Sequence, residues 1–376
     1  MSRPAPRGWC PSAERPMLSG DGLIMRLRPA LGWIEAGAFR HLCGLARRHG
    51  NRIIEVTSRA SLQLRGVSEA AYPQLLADVA EAGLLPAIPQ NGGGITVQPF
   101  WRAGDATARL ERALAETLTA LPPLPAKFGL ALDDGDAPVL SDVSADIRIE
   151  RATDGGLIIR ADGAATGCAV PMEQVPGAVA DLVRWFLRTG GSDVKRMRRH
   201  IATVPLPAAR IGAGAAPAQM AGGPGPTSLG PIVGLPFGQG NADAVEALLD
   251  ARKPAALRLT PWRALLLEGA HDGPETDGFI WRANDPLRRV EACPGAPACA
   301  TATVATRHLA RALAGKLPGR LHVSGCAKGC AWPRDADHVL VGNSGRFDLV
   351  QSGTAWDRPV RTGLTADEAA ALGGDV

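Results

Sequence analysis

Thr57-Ser-Arg-Ala-Ser-Leu-Gln-Leu-Arg-Gly66 and Thr260-Pro-Trp-Arg-Ala-Leu-Leu-Leu-Glu-Gly269 carry one pattern in two distant parts of the chain. In both, a glycine follows the threonine by nine residues, with Leu62/Leu265 and Leu64/Leu267 in register. Apolar alternation behind a polar corner reads as the second strand of a strand–corner–strand unit. What precedes each copy agrees. Leu23, Ile24, Met25 and Leu27 form an apolar strand, and Ala38 to His49 has helical spacing with Phe39, Leu42, Leu45 and Ala46 on one face. Arg52–Val56 and Ser61–Leu64 then make the hairpin, and a helix over about Ser68 to Ala82 ends at Gly83. In the second copy residues 231–235 are the strand, 242–251 the helix and 256–267 the hairpin. The order β-α-β-β-α implies an α+β fold, with helices on one face of a small antiparallel sheet. A period of about 200 residues is no solenoid. It implies a duplicated half-domain whose copies pair about a pseudo-two-fold axis.

Working outward, residues 1–90 hold an N-terminal region and the first half-domain, and 91–204 an α/β unit. That unit is expected to contain helices at Thr107–Thr119 and Gly177–Arg188, and a hairpin of Ile147–Arg151 and Gly156–Ala161. Residues 205–230 are an Ala/Gly/Pro connector, densest at Ala221-Gly-Gly-Pro-Gly-Pro226, that cannot bury a core. The second half-domain covers 231–290. Residues 291–376 carry a cysteine-rich segment, a helix over about Ala300 to Ala314 and a hairpin of His338–Val341 and Arg346–Gln351.

The net charge of +4 is mild and its cations are scattered, which argues against nucleic acid as a partner. Residues 1–20 contain four prolines and no continuous apolar run, and no segment reaches the roughly 18 apolar residues of a membrane span. The chain therefore reads as cytoplasmic, with no membrane partner. In a reducing compartment its seven cysteines point to metal or redox chemistry rather than a disulfide framework.

Four of those cysteines are close together as Cys293-Pro-Gly-Ala-Pro-Ala-Cys299 and Cys326-Ala-Lys-Gly-Cys330. Buried structural thiols and zinc are the competing readings, but the first loop is wide for a zinc knuckle. Soft thiolates on Gly/Pro-rich loops suit a [4Fe–4S] cluster, whose bulk needs a wide loop and close backbone approach. Gly295, Gly325 and Gly329 allow that approach, Lys328 adds positive charge, and a helix starting near Ala300 would point its positive end at the cluster. Gly212-Ala-Gly-Ala-Ala-Pro217 begins like a dinucleotide loop but lies in the connector without a preceding strand, so no nicotinamide site is assigned.

Ala292–Cys299 and Val323-Ser-Gly-Cys-Ala-Lys-Gly-Cys330 resemble the cluster motif of the sulfite and nitrite reductases, which hold sirohaem beside [4Fe–4S]. The resemblance covers nearly the whole chain. It implies ferredoxin-like half-domains, each followed by a nitrite/sulfite reductase-type α/β domain, the second carrying the cluster. It also implies that Cys330 corresponds to the ligand bridging cluster and haem iron. Thr57-Ser-Arg-Ala-Ser-Leu-Gln63 is similar to their T-x-R-x-x-x-Q element at the tetrapyrrole, and Leu124-Pro-Ala-Lys-Phe128 to the segment with the first of two anion-binding lysines. The second lysine would fall at Gly129, and the arginine usual before Asn91 is Gln90, so the cation cage for sulfite is dismantled. Arg7-Gly-Trp-Cys-Pro11, Arg15-Pro-Met17, Ser19-Gly-Asp-Gly-Leu23 and Leu259-Thr-Pro-Trp-Arg263 instead resemble the precorrin-3B synthase branch.

That resemblance implies an oxidoreductase of aerobic cobalamin biosynthesis, a monooxygenase that hydroxylates precorrin-3A at C20 with lactone formation. The tetrapyrrole would be substrate, O2 the oxidant, and electrons would come from a ferredoxin, flavodoxin or NAD(P)H-dependent reductase through the cluster. Sirohaem belongs only to the alternative, a sulfite or nitrite reductase; an additional iron is left open. Arg59, Arg65, Lys127 and Arg263, with Lys328 beside the cluster, are the expected carboxylate binders, and Gln63 an edge donor. No catalytic proton donor is assigned. His322 is expected to be a satisfied core or boundary residue, His308 to lie on the helix surface, and Cys10, Cys43 and Cys168 to be structural.

Overall fold

The computed structural model describes residues 10–219 and 222–373; Arg7, Gly8 and Trp9 of the N-terminal motif and Ala221 of the connector lie outside them. The two half-domains exchange strands. One sheet runs in the order Met17–Ser19, Gly22–Leu27, Leu62–Val67, Ile53–Val56, Gln239–Asn241, and the other Ile232–Gly234, Ala264–Glu268, Ala256–Thr260, Trp33–Glu35. All pairings in both are antiparallel. The crossing strand follows one backbone device used twice. Leu31 and Gly32, and Phe237 and Gly238, take successive positive φ angles of 58°, 65°, 59° and 78°. A Cβ on Gly32 would lie 3.3 Å from the Leu259 carbonyl, and one on Gly238 2.6 Å from that of Val56, its counterpart. Glycine is needed there for both conformation and contact.

The hairpin corners repeat as well. Ala60 and Arg263, equivalent in the two copies, both have positive φ. Thr57 Oγ1 lies 2.7 Å from Ser61 Oγ, and Thr260 Oγ1 donates to the Ala264 carbonyl at 2.9 Å, so each leading threonine ties its own corner. Alternate residues Met25, Leu27, Ile54, Leu62, Leu64, Leu257, Leu259, Leu265 and Leu267 point into one shared core. The helices Ala36–His49 and Ala242–Arg252 cover it with Phe39, Leu42, Val245 and Leu248. The first starts two residues before the expected Ala38 because Glu35 caps the Gly37 N–H at 3.2 Å. The expected helix from Ser68 is shorter, Tyr72–Glu81, and the second copy has irregular chain at 270–285 in its place.

Each half-domain leads into an α/β layer, and these match too. Ile95–Val97, Leu130–Asp133 and Ile147–Arg151 are parallel, continued antiparallel by Leu157–Ala161 and Cys168–Ala169. Val290–Ala292, Leu321–Ser324 and Ala336–Asn343 are parallel, continued antiparallel by Arg346–Gly353 and Arg361–Leu364. The connector is not free chain: Ala213 and Ala215 bridge to Gly167 and Ala152, and Gly225 to Ile232, so its small residues lie along the first layer and the second half-domain. Among the described residues no helix is long and apolar enough to cross a membrane.

The helix expected from Ala300 begins only at Arg307 and ends at Leu313. Residues 300–306 instead wrap the cysteine loops, with Thr303 N–H on the Gly325 carbonyl at 3.0 Å and Thr306 Oγ1 on that of Cys293 at 2.6 Å. A start about two turns late takes the helix end away from Cys299, and the dipole argument for the cluster falls with it.

Candidate functional site

Strand alternation that sends leucines into the core sends Arg26, Glu55, Gln63 and Arg65 to the opposite face of the first sheet. That face meets the cysteine layer around a cavity of about 350 Å³, whose wall includes Arg263, Cys293, Arg307 and Cys330. The corresponding face of the second sheet is closed: Ile232, Ala264 and Leu266 pack with Phe100, Leu229 and Trp262. Duplication thus supplies two equivalent sheet faces, of which one is open and borders the cysteines.

Glu55 organises the polar face. Its carboxylate accepts from Gln63 at 2.7 Å, Gln239 at 2.8 Å and Arg307 at 3.2 Å, with Arg65 at 3.5 Å. Burial alone would raise its pKa, but Arg65, Arg307 and Gln239 carry it below the ordinary carboxylate value. Arg65 is saturated by protein: Asp21 takes two of its N–H groups at 3.0 and 2.9 Å, and the Ala298 carbonyl a third contact at 3.1 Å. Ser19 Oγ and Gly20 N–H reach the same carbonyl at 2.7 and 3.2 Å. Arg65 borders the cavity as well, and these bonds fasten the Cys293–Cys299 loop to the first half-domain.

The other expected residues divide between two places. Gln63 and Arg263 border the cavity with Cys293 and Cys330; Gln63 bridges Arg26 and Glu55, whereas Arg263 pairs with Glu291 and donates to the Ala331 carbonyl at 3.3 Å. Arg59 and Lys127 lie further along, joined by Arg59 Nη1 on the Lys127 carbonyl at 3.2 Å, with Nη2 on Ser144 Oγ at 3.1 Å. Lys328 is half-buried and close enough to favour the Cys299 thiolate.

A second cavity, about 290 Å³, adjoins the first across Arg26 and is lined by Cys10, Arg28 and Gln90 among others. Cys10, expected to be structural, faces it. Arg28 donates to Gln90 Oε1 at 3.0 Å, while its buried Nε has no partner. Burial, then repulsion from Arg26 and Arg59, pushes its pKa down to about 10. Burial and Arg196 also lower that of Arg59. Among the described residues Arg26, Arg28 and Arg59 bind only neutral groups: Gln63, Gln90, Ser144 and a carbonyl. Three neighbouring guanidiniums with no carboxylate bonded to them, although Glu14 lines the same cavity and Asp146 lies near Arg59, have the chemistry to receive a polyanion. Arg26, Arg28, Glu55 and Arg307 were missed in the sequence. Arg26 and Arg28 have the two-residue spacing of one strand face, which was the available signal.

The four cysteines are free thiols. Cys293 is buried, its Sγ accepting from Gly325 N–H at 3.2 Å; burial raises its pKa. Burial opposes ionisation of Cys299 too, but the Thr301 hydroxyl, the Thr301 and Ala302 N–H groups and Lys328 bring it below the usual thiol value. A Cβ on Gly325 would lie 2.5 Å from that of Ala302, so the loops come as close as glycine permits. Among the described residues no three His, Cys, Asp or Glu side chains converge as a single metal ion requires. A cube-shaped cluster spreads its ligands over separate irons, and four thiolates with N–H donors on glycine loops fit that chemistry.

His322 is fully buried as expected, but both ring nitrogens lack partners. Burial, with Arg263 nearby, pushes its pKa down to about 4. A folded value below the ordinary one favours the neutral ring, so stability is intact above about pH 6.5 and falls as pH drops towards 4. His322→Leu is expected to be more stable than the parent, with the advantage growing by about 2 kcal/mol from pH 7.5 to pH 5 in urea unfolding. A pH-independent difference would contradict the assignment. His308 is exposed and Cys43 buried, as expected; Cys168 is half-buried on its strand.

Residues 15–82 match the family model described as the nitrite/sulfite reductase ferredoxin-like half domain. The solved structure of the Mycobacterium tuberculosis NirA protein is similar, with a TM-score of 0.62 at 18% identity, covering 94% of this chain and 79% of that one. At that identity the likeness speaks for the fold: the duplicated α+β architecture read from the repeat. A precorrin-3B synthase from Sinorhizobium sp is 31% identical, over 93% of this chain and 83% of the relative. With a match of that identity along nearly its whole length, the chain belongs to the precorrin-3B synthase family.

Proposed function

We propose that this enzyme converts precorrin-3A to precorrin-3B, using O2 and electrons delivered through a [4Fe–4S] cluster held by Cys293, Cys299, Cys326 and Cys330. The observation that carries the reading is the cavity that sets Cys293 and Cys330 opposite the polar face of the first half-domain and opens, across Arg26, towards Arg28. A precorrin carries acetates and propionates around its rim, and guanidiniums with no carboxylate bonded to them are suited to these groups. One oxygen atom enters the product as the C20 hydroxyl, with a ring acetate closing the lactone. The other leaves as water, taking up two electrons and two protons. The cluster supplies electrons singly, so a separate ferredoxin, flavodoxin or reductase must provide two in succession. Gln63 holds Arg26 towards the cavity and Glu55 fixes Gln63, while Arg65 and Arg263 brace the cysteine loops.

Gly129 speaks against the sirohaem reductase. It is buried, its N–H is bonded to Asp146 at 3.1 Å, and a Cβ would sit 3.1 Å from the Gly94 carbonyl, so the position of the second anion-binding lysine is filled by closely packed backbone. Incubation with precorrin-3A and ¹⁸O2 tests the reaction: the expected product gains one labelled atom. Label arriving from water instead, or no oxygenated product with a competent donor, would overturn it. Arg28→Ala is expected to raise KM for precorrin-3A roughly 10- to 100-fold, the loss of one charge-assisted contact; an unchanged KM would place the carboxylates elsewhere.

A further inference from the structure

Thr301 lies between two of the four cysteines. Its hydroxyl oxygen is 3.3 Å from Cys299 Sγ and 3.9 Å from Cys326 Sγ, bringing together sulfurs from both halves of the C-x5-C and C-x3-C pattern. The other donors at these sulfurs include backbone N–H groups: Gly325 and Gly295 on Cys293, Thr301 and Ala302 on Cys299. Those are set by loop geometry and no substitution removes them singly. The Thr301 hydroxyl differs in being a rotor with one proton, able to serve either sulfur. It sits on the exposed outer side of the loop, where neither the core nor the cavity lining depends on it.

We infer that Thr301 is a positioning residue that sets the reduction potential of the cluster by donating its hydroxyl proton to the thiolates of Cys299 and Cys326. The inference rests on the cluster reading above. Reduction adds one electron, and with it negative charge, to a centre whose sulfurs share that charge. A donor aimed at those sulfurs stabilises the reduced form more than the oxidised one. Removing it makes the cluster harder to reduce and slows electron delivery without altering the cavity.

The test is an EPR-monitored redox titration of the anaerobically prepared protein, comparing the parent with T301V and T301S. Valine keeps the branched shape and loses the hydroxyl; serine keeps the hydroxyl. At the parent's midpoint potential T301V is expected to hold roughly three- to tenfold less reduced cluster relative to oxidised, the equilibrium shift of one modest hydrogen bond. T301S is expected to match the parent. Equal midpoints for T301V and the parent, or equal displacement in T301S and T301V, would overturn the role of the hydroxyl while leaving the cluster in place. A parent protein with no reducible iron–sulfur signal would overturn the cluster reading and this inference together.

Discussion

Cys326→Ala is expected to abolish product formation and to reduce bound iron and sulfide to background, while the far-ultraviolet circular dichroism stays that of the parent. The thiol lies at a half-buried loop position, and the cores of the cysteine layer are built from other residues, Val290, Leu313, Val323, Leu340 and Leu349 on one face and Val339 and Val350 on the other. Loss of the side chain therefore leaves packing intact. A cluster with three thiolate ligands loses both affinity and its electronic setting. The Cys326 carbonyl keeps its bond from Ser324 Oγ at 2.7 Å, so the loop holds its shape in the variant. Retained iron with retained turnover would show that the cluster takes its ligands elsewhere.

Arg258→Ala is expected to be the most damaging substitution for stability outside the hydrophobic core. Arg258 is 1% exposed and holds four acceptors: both carboxylate oxygens of Glu268 at 2.9 and 2.6 Å, the Pro99 carbonyl at 2.8 Å, and the Trp101 carbonyl. Its guanidinium also stacks 4.0 Å from the Trp101 ring centroid. Pro99 and Trp101 belong to the first α/β layer and Glu268 to the second half-domain, so one side chain joins the two. Truncation leaves two carbonyls unpaired and the half-buried carboxylate with only its bond from Trp33 Nε1 at 2.9 Å, a loss of about 3–5 kcal/mol. Urea unfolding measures it, and a loss below 1 kcal/mol would mean that the interface relaxes around the gap. Lysine in its place is expected to recover only part, since one ammonium cannot reach the acceptors of a planar fork.

The Arg258–Glu268 pair has a counterpart at the equivalent positions of the first copy, Glu55 and Arg65, with the charges reversed. This explains what was legible in the sequence and what was not. The repeat was visible because Thr, Leu and Gly serve backbone and core, which duplication preserves: Thr57 and Thr260 tie corners, and Leu62 and Leu265 fill one shared core. The exchange of Trp33–Glu35 and Gln239–Asn241 between sheets was not legible, since strands of three residues carry too little alternation to reveal their neighbours. The cysteine quartet stood out by density and spacing. The helix after it starts later than expected because Thr301, Thr303, Val304 and Thr306 are β-branched and weak helix formers, and tertiary bonds from Thr303 and Thr306 hold the segment as a wrap. The loop-fastening bonds of Arg65 were hidden for a related reason: its partners Asp21 and Ala298 are remote in the chain, and an arginine that clamps a loop looks the same in sequence as one that binds a ligand. Arg26 and Arg28 gained meaning only once their hydrogen bonds were seen to go to Gln63 and Gln90 rather than to a carboxylate.

The most direct test of a cluster-bearing enzyme that treats a tetrapyrrole as substrate is the absorption spectrum of the protein purified without oxygen. The expected spectrum is the broad brown band of an iron–sulfur cluster, bleaching on reduction, with no haem features. A Soret band with the charge-transfer absorption of bound sirohaem would contradict it and place the protein with the reductases in chemistry as well as in fold.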